Sequence, residues 1–161
     1  MIKKIILSIV LVTLLGCTSR TRLIPKAEIK RVYNSKFAIV SVEYAGELGI
    51  DVIIQNKLGK IVEILWDKSR INNENIALAE TPYEDLYKKI KNDFLVPNIP
   101  YRRVIYPLSN VKGPNDFFKL SYPIKLEIFF RRGDMIDKSI LIIREGELIE
   151  KKVNFAGQVI N

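Results

Sequence analysis

Gly49-Ile50-Asp51-Val52-Ile53-Ile54-Gln55, then Asn56-Lys57-Leu58-Gly59, then Lys60-Ile61-Val62-Glu63-Ile64-Leu65-Trp66-Asp67: these residues decide the fold class. In an extended chain Ile50, Val52 and Ile54 share one face, with Asp51 and Gln55 opposite. Val62, Ile64 and Trp66 repeat the pattern, with Glu63 and Asp67 opposite. Successive side chains of a strand point to alternate faces, so a period of two marks a half-buried strand. Between the two runs lies a turn in which Gly59 is able to take positive φ. The stretch predicts a β-hairpin whose second strand ends on a tryptophan.

The same periodicity extends outward in both directions. Over 37–44, Ala38, Val40, Val42 and Tyr44 fall on one side, with Phe37 and Ile39 on the other. Further strands are predicted over 76–80, 102–108, 124–131, 136–144 and 148–155, with Ile124, Leu126, Ile128 and Phe130 facing inward. Turn residues separate them at 72–75, 113–116, 133–134 and 145–147. One helix is signalled. Thr81-Pro82-Tyr83-Glu84 is a capping box, and Tyr83, Leu86, Tyr87 and Ile90 follow as one apolar stripe. Short strands with turns every 8 to 12 residues predict an all-β fold. The expected form is an Ig-like antiparallel β-sandwich of seven to eight strands, with one short helix in a crossover loop.

Composition limits the chemistry. The chain has 161 residues, enough for one domain with a tail, and 48% of them are hydrophobic, which excludes a disordered chain. There is no histidine and one cysteine. A Ser-His-Asp triad, a Cys-His dyad and a His-ligated metal therefore cannot be assembled, nor can an intrachain disulfide. Acidic clusters with calcium-loop spacing are absent, and Glu84 with Lys88 is an ordinary i,i+4 helix pair. The expectation is a protein that is not an enzyme, with no catalytic residue, no metal and no cofactor.

The N-terminus carries an address. Met1-Ile2-Lys3-Lys4 is followed by eleven uncharged residues, 5–15, ending Leu14-Leu15-Gly16-Cys17. Eleven helical residues rise about 16 Å, too little to cross a hydrocarbon core of roughly 30 Å. The pattern fits a secretory signal, and Leu14-Leu15-Gly16-Cys17 resembles the lipobox of bacterial lipoprotein precursors. That resemblance implies diacylglycerol on the Cys17 thiol, cleavage before Cys17, and lipid anchoring at the cell membrane or outer membrane, facing the periplasm or exterior. Thr18, where relatives held at the inner membrane commonly have aspartate, implies outer-membrane delivery in a host that has one.

The division expected is 1–16 signal peptide, 17–36 lipidated cysteine and basic tether with a linker over 18–27, and 37–161 β-sandwich domain. Charge follows this division. The whole chain is +8, yet 18–36 holds six basic groups against Glu28, and 37–161 holds 18 basic against 17 acidic groups. The near-neutral domain argues against nucleic acid as partner. The basic stretch beside the anchor suits anionic headgroups.

Within the domain, Trp66 reads as a core residue, with sugar or apolar-ligand stacking as an alternative. Asp67 is expected to close a turn through its side chain. The stretch 51–66 resembles hairpins of small Ig-like bacterial envelope lipoproteins. Arg132-Gly133-Asp134 matches the integrin-binding tripeptide, and Gly-Asp also suits a hairpin turn. Phe94, Leu95, Val96, Ile99 and Tyr101, in an apolar loop with two prolines, are the candidate binding surface, provided that they are exposed rather than capping the core. The function expected is a lipid-anchored, non-enzymatic binding or scaffolding module of the cell envelope with a protein partner. A small-ligand-binding lipoprotein and a surface adhesin are the alternatives.

Overall fold

The computed structural model describes residues 19–46, 49–79, 90–110 and 120–154. In chain order the strands are β1 (Ser19–Tyr33), β2 (Ala38–Gly46), β3 (Gly49–Asn56), β4 (Val62–Ile71), β5 (Glu74–Leu78), β6 (Asp93–Leu95), β7 (Tyr101–Pro107), β8 (Ile124–Arg132) and β9 (Met135–Asn154). A 3-10 turn, Leu108–Asn110, follows β7. The helix expected from Thr81 onward lies outside the described residues, among which there is no α-helix.

The strands close into an eight-stranded antiparallel barrel rather than the expected Ig-like sandwich. Its order is β1-β2-β3-β7-β5-β4-β8-β9 and back to β1, with β6 paired to the start of β4. Two strands make the closure. β5 pairs with β4 through Glu74 and Asn75, then with β7 through Ile76, Ala77 and Leu78. β1 pairs with β9 along most of its length and with β2 at Lys26↔Tyr44. Removing β1 from the order leaves one open sheet, β2-β3-β7-β5-β4-β8-β9, with a seam between β2 and β9. Closure covers the edges that a sandwich leaves unpaired.

The stretch assigned to a tether is where this difference arises. Residues 19–33 are β1, which runs beside β9 for 15 residues. The strands expected over 136–144 and 148–155 around a turn belong, as far as residue 154, to one strand of 20 residues; residue 155 lies outside the described residues. Gly146 does not turn the chain. A Cβ there would lie 2.4 Å from the Lys26 carbonyl oxygen, so glycine allows close approach where β1 bulges between Pro25 and Ala27.

Inward positions match the sequence pattern. Val40, Ile50, Val52, Ile54, Val62, Ile64, Trp66, Ile105, Ile124, Leu126, Ile128, Phe130, Leu141 and Ile143 pack into one cluster and are fully buried or nearly so. Eight strands give an interior just wide enough for side chains to fill. Tyr44 departs from the pattern. β2 is irregular between Val42 and Ala45, which puts Tyr44 in a second cluster with Ile24 rather than with Val42. β4 breaks its pairing with β8 between Leu65 and Arg70. Ser69 closes that bulge, its hydroxyl donating to Leu65 O at 2.8 Å and accepting from Phe129 N at 3.1 Å. Arg70 donates to the backbone oxygens of Asp67 and Ser69. The Asp67 side chain, expected to close this turn, leaves a buried Oδ1 without a partner.

Candidate functional site

At one end of the barrel lie the connections 34–37, 57–61, 96–100 and 133–134. The start of β4, all of β6 and the tip of the β8–β9 hairpin meet there. β6 hydrogen-bonds along β4 through Val62↔Leu95, Glu63↔Phe94 and Ile64↔Asp93. Alternation then splits its side chains. Leu95 is fully buried in the core, whereas Phe94 is 61% exposed. The chain next turns through Val96-Pro97-Asn98-Ile99, with Asn98 at φ 62° and Ile99 N donating to Val96 O at 3.4 Å. Proline followed by an asparagine at positive φ suits a type II turn. Val96 and Ile99 are left 45% and 60% exposed. The Asn56 side chain donates to Leu95 O and Lys60 O, which ties this loop to the β3–β4 turn.

The candidate surface is therefore divided. Phe94, Val96 and Ile99 face solvent, Leu95 is core, and Tyr101 is half-buried. Tyr101 belongs to a polar anchor beneath the surface. Asp93 Oδ2 accepts from Trp66 Nε1 at 3.0 Å and from the Tyr101 hydroxyl. Arg103 Nε donates to that hydroxyl at 2.9 Å, and its guanidinium lies over the Tyr101 ring. Burial, followed by the Asp93 carboxylate, pushes the Tyr101 hydroxyl pKa well up. Trp66 itself is fully buried, with its N–H engaged, so no indole face is open for a ligand to stack on.

Sequence reading did not place Ile61, Met135 and Ile136 beside this loop. Strand register does. Glu63 pairs with both Phe94 and Arg131, and Arg131 pairs with Ile136. Ile61, two residues before Glu63 and on the same face, is 61% exposed; Met135 and Ile136 are 49% and 46% exposed. Polar groups fix the row. Arg131 donates to Glu63 Oε2 at 2.7 Å through Nε, and Asn92 donates to Oε1 at 2.9 Å. Although burial pushes the Glu63 carboxyl up, these bonds hold it below the usual range. The loop 34–37 is pinned alongside, where Asp137 Oδ2 accepts from Ser35 Oγ and Lys36 N. Gly133 and Asp134 are exposed at the hairpin tip, and Gly133 takes φ 56°, which is a conformational reason for glycine within Arg132-Gly133-Asp134.

A second cluster lies on the outer face of β2, β3 and β7. Asp51 points away from the core yet is only 1% exposed. Arg102 Nε donates to both its oxygens, at 2.9 and 3.1 Å, and Arg102 Nη2 bridges Asp51 to Glu43. Lys151, from the far part of β9, donates to Glu43 Oε1. Ile24 packs on Tyr44 and Val104, so the 19–25/148–154 ribbon lies against this face. Burial pushes the Asp51 carboxyl up against the pull of Arg102. The Lys151 hydrogen bond holds Glu43 below the usual range. Burial raises the Tyr44 hydroxyl, and that of neighbouring Tyr106 to about 12. The signal for Asp51 was present as a polar residue among aliphatics, but the other members of its cluster, Glu43, Arg102 and Lys151, come from three other strands.

Among the described residues no three metal-ligating side chains converge. Cys17 lies outside the described residues. No protein-family model, curated protein or solved structure matches the chain.

Proposed function

We propose that this chain is a lipid-anchored, non-enzymatic binding module of the cell envelope. Cys17 carries the acyl chains, and the exposed end of the barrel is the binding face. The observation that carries the reading is the order of charge, apolar run, glycine and cysteine over residues 3–17. Strand β1 begins at Ser19, so one residue, Thr18, separates the proposed anchor from the barrel. The ribbon beside it suits a lipid surface. Leu23 and Leu148 are 62% and 59% exposed and share one of its faces with Lys152 and the exposed Glu150 through the pairs Leu23↔Glu150, Pro25↔Leu148 and Thr21↔Lys152, so that face is apolar and balanced in charge. Each Lys or Arg near anionic headgroups contributes about 1 kcal/mol. Two or more acyl chains hold a protein far more firmly than one.

The test is radiolabelled palmitate incorporation together with membrane fractionation of cells expressing the full chain. The wild type takes up label and sediments with membranes, and Cys17→Ser loses the label. Label retained by Cys17→Ser overturns the anchor.

A further inference from the structure

We propose that the exposed end of the barrel docks on an anionic lipid surface. The proposal rests on that end being the binding face and names what it binds.

Six large apolar side chains, Ile61, Phe94, Val96, Ile99, Met135 and Ile136, are each at least 45% exposed there. They are borne by three separate chain segments, the β3–β4 turn, the β6 loop and the β8–β9 hairpin tip. Cations are interleaved with them: Lys57 and Lys60 precede Ile61, and Arg131 and Arg132 precede Met135. Among the described residues Lys60 and Arg132 form no ion pair. The acidic groups at this end are mostly engaged within the molecule. Glu63 holds Arg131, Asp93 holds Trp66 and Tyr101, and Asp137 holds the 34–37 loop. Asp134 alone of the four is exposed at the hairpin tip. Counting Lys36 and Lys91 as well, the segments 34–37, 57–63, 91–101 and 131–137 hold six basic groups against these four acidic ones, a formal +2, while 37–161 as a whole is +1.

Apolar and cationic side chains side by side on protruding turns fit a boundary that offers an acyl layer and anionic headgroups together. A protein interface instead gathers a charge-depleted apolar centre against a shaped partner. The first arrangement is the one seen here. β9 carries the argument about position. Ile136 is at this end and Ile149 is in the ribbon that pairs with Ile24, up to about 40 Å further along the strand. The docking end is therefore distinct from the ribbon next to Cys17.

The test uses the full chain with Cys17→Ser, so no acyl chain contributes. A cysteine introduced by Ile99→Cys carries the environment-sensitive fluorophore NBD, and Asn75→Cys, exposed at the opposite end of the barrel, carries it as control. On phosphatidylglycerol–phosphatidylcholine vesicles, emission at 99 shifts to the blue and that at 75 does not. Lys60→Glu with Arg132→Glu raises the lipid concentration at half-signal about 30-fold. A label at 99 that stays water-like, an equal response at 75, or a half-point unmoved by charge reversal overturns the proposal. Because the anchor is absent throughout, each of these failures leaves the Cys17 reading untouched.

Discussion

Two regions of the outer surface invert the usual rule in opposite senses. Beneath the ribbon, Asp51 is a buried carboxylate on a face that strand alternation assigns to solvent. At the loop end, Phe94, Ile61 and Ile99 are apolar side chains that stay in water. The difference lies in where compensation comes from. Asp51 is answered within the chain by a bidentate guanidinium, and Arg102 is answered by Glu43, which Lys151 holds. The three apolar side chains at the loop end are anchored from below but uncovered from above. A closed ion network serves folding; an uncovered apolar rim is what the proposed binding would use. The comparison predicts that substitutions in the first region cost stability and those in the second do not.

The largest effect is expected at Arg102. Arg102→Met strands Asp51, and removing one partner of a buried pair costs about 3 kcal/mol or more. The lower end of that range applies because the Arg102 side chain is 35% exposed. Urea unfolding measures it. Adding Asp51→Leu to Arg102→Met should restore most of the loss, because the uncompensated ion is gone. If the double variant is as unstable as the single one, packing rather than charge is at work.

Next comes the ribbon that covers the network. Gly146→Ala places a Cβ against the Lys26 carbonyl, a backbone atom that cannot swing aside. Forcing β1 and β9 apart there costs about 2 kcal/mol. The same change at Gly59, where a Cβ meets nothing within 4 Å, is the control and should be near neutral.

A smaller loss, about 1 kcal/mol, is expected for Lys151→Met, which breaks a partly exposed pair with Glu43. Its pH dependence has a definite sign. Glu43 is held below its ordinary value of 4.5, so the folded state favours the charged form. Stabilisation from the pair is complete above that value and lost as the pH falls through the depressed one. The gap between wild type and Lys151→Met, measured by urea unfolding across pH, should therefore close in acid. A gap that is constant from neutral pH into acid would assign the effect to packing of the lysine stem.

How much of this was legible in the sequence follows from what alternation does and does not encode. The inward faces of β3, β4 and β8 were readable because side-chain direction is local to a strand. The all-β class followed from them. Barrel closure was not readable, because it depends on β1, whose basic residues and Pro25 resemble a linker. Yet Ile24, Ala27 and Ile29 alternate with exposed Leu23, Lys26, Glu28 and Lys30 except at the bulge. Gly146 misled in the same way, since a glycine between glutamates suits a turn as well as a close backbone approach. Of the candidate surface, Phe94, Val96 and Ile99 were found because they cluster in sequence. Ile61, Met135 and Ile136 join them through register, which no single strand reveals. Leu95 was included with them because position in a loop carries no periodicity; pairing with Val62 turns it inward.

The smallest expected effect on stability is the sharpest test of the comparison. Phe94→Ser with Ile99→Ser removes two side chains about six-tenths exposed, and surface changes of that kind stay within about 0.5 kcal/mol. The backbone bonds that hold the loop do not pass through these side chains. Leu95 O still accepts from Asn56, and Ile99 N still reaches Val96 O. The unfolding midpoint should accordingly be unchanged, while capture of anionic vesicles, read from NBD at Ile61→Cys in the Cys17→Ser chain, falls at least tenfold. Leu95→Ser, one residue away and fully buried, should do the reverse, unfolding the chain at lower urea by about 3 kcal/mol because it deletes core packing and buries a hydroxyl. Adjacent residues on one strand would then separate binding from folding. If Phe94→Ser with Ile99→Ser destabilised the chain as Leu95→Ser does, the exposed rim would be a cap on the core, and the contrast between the two regions would fail.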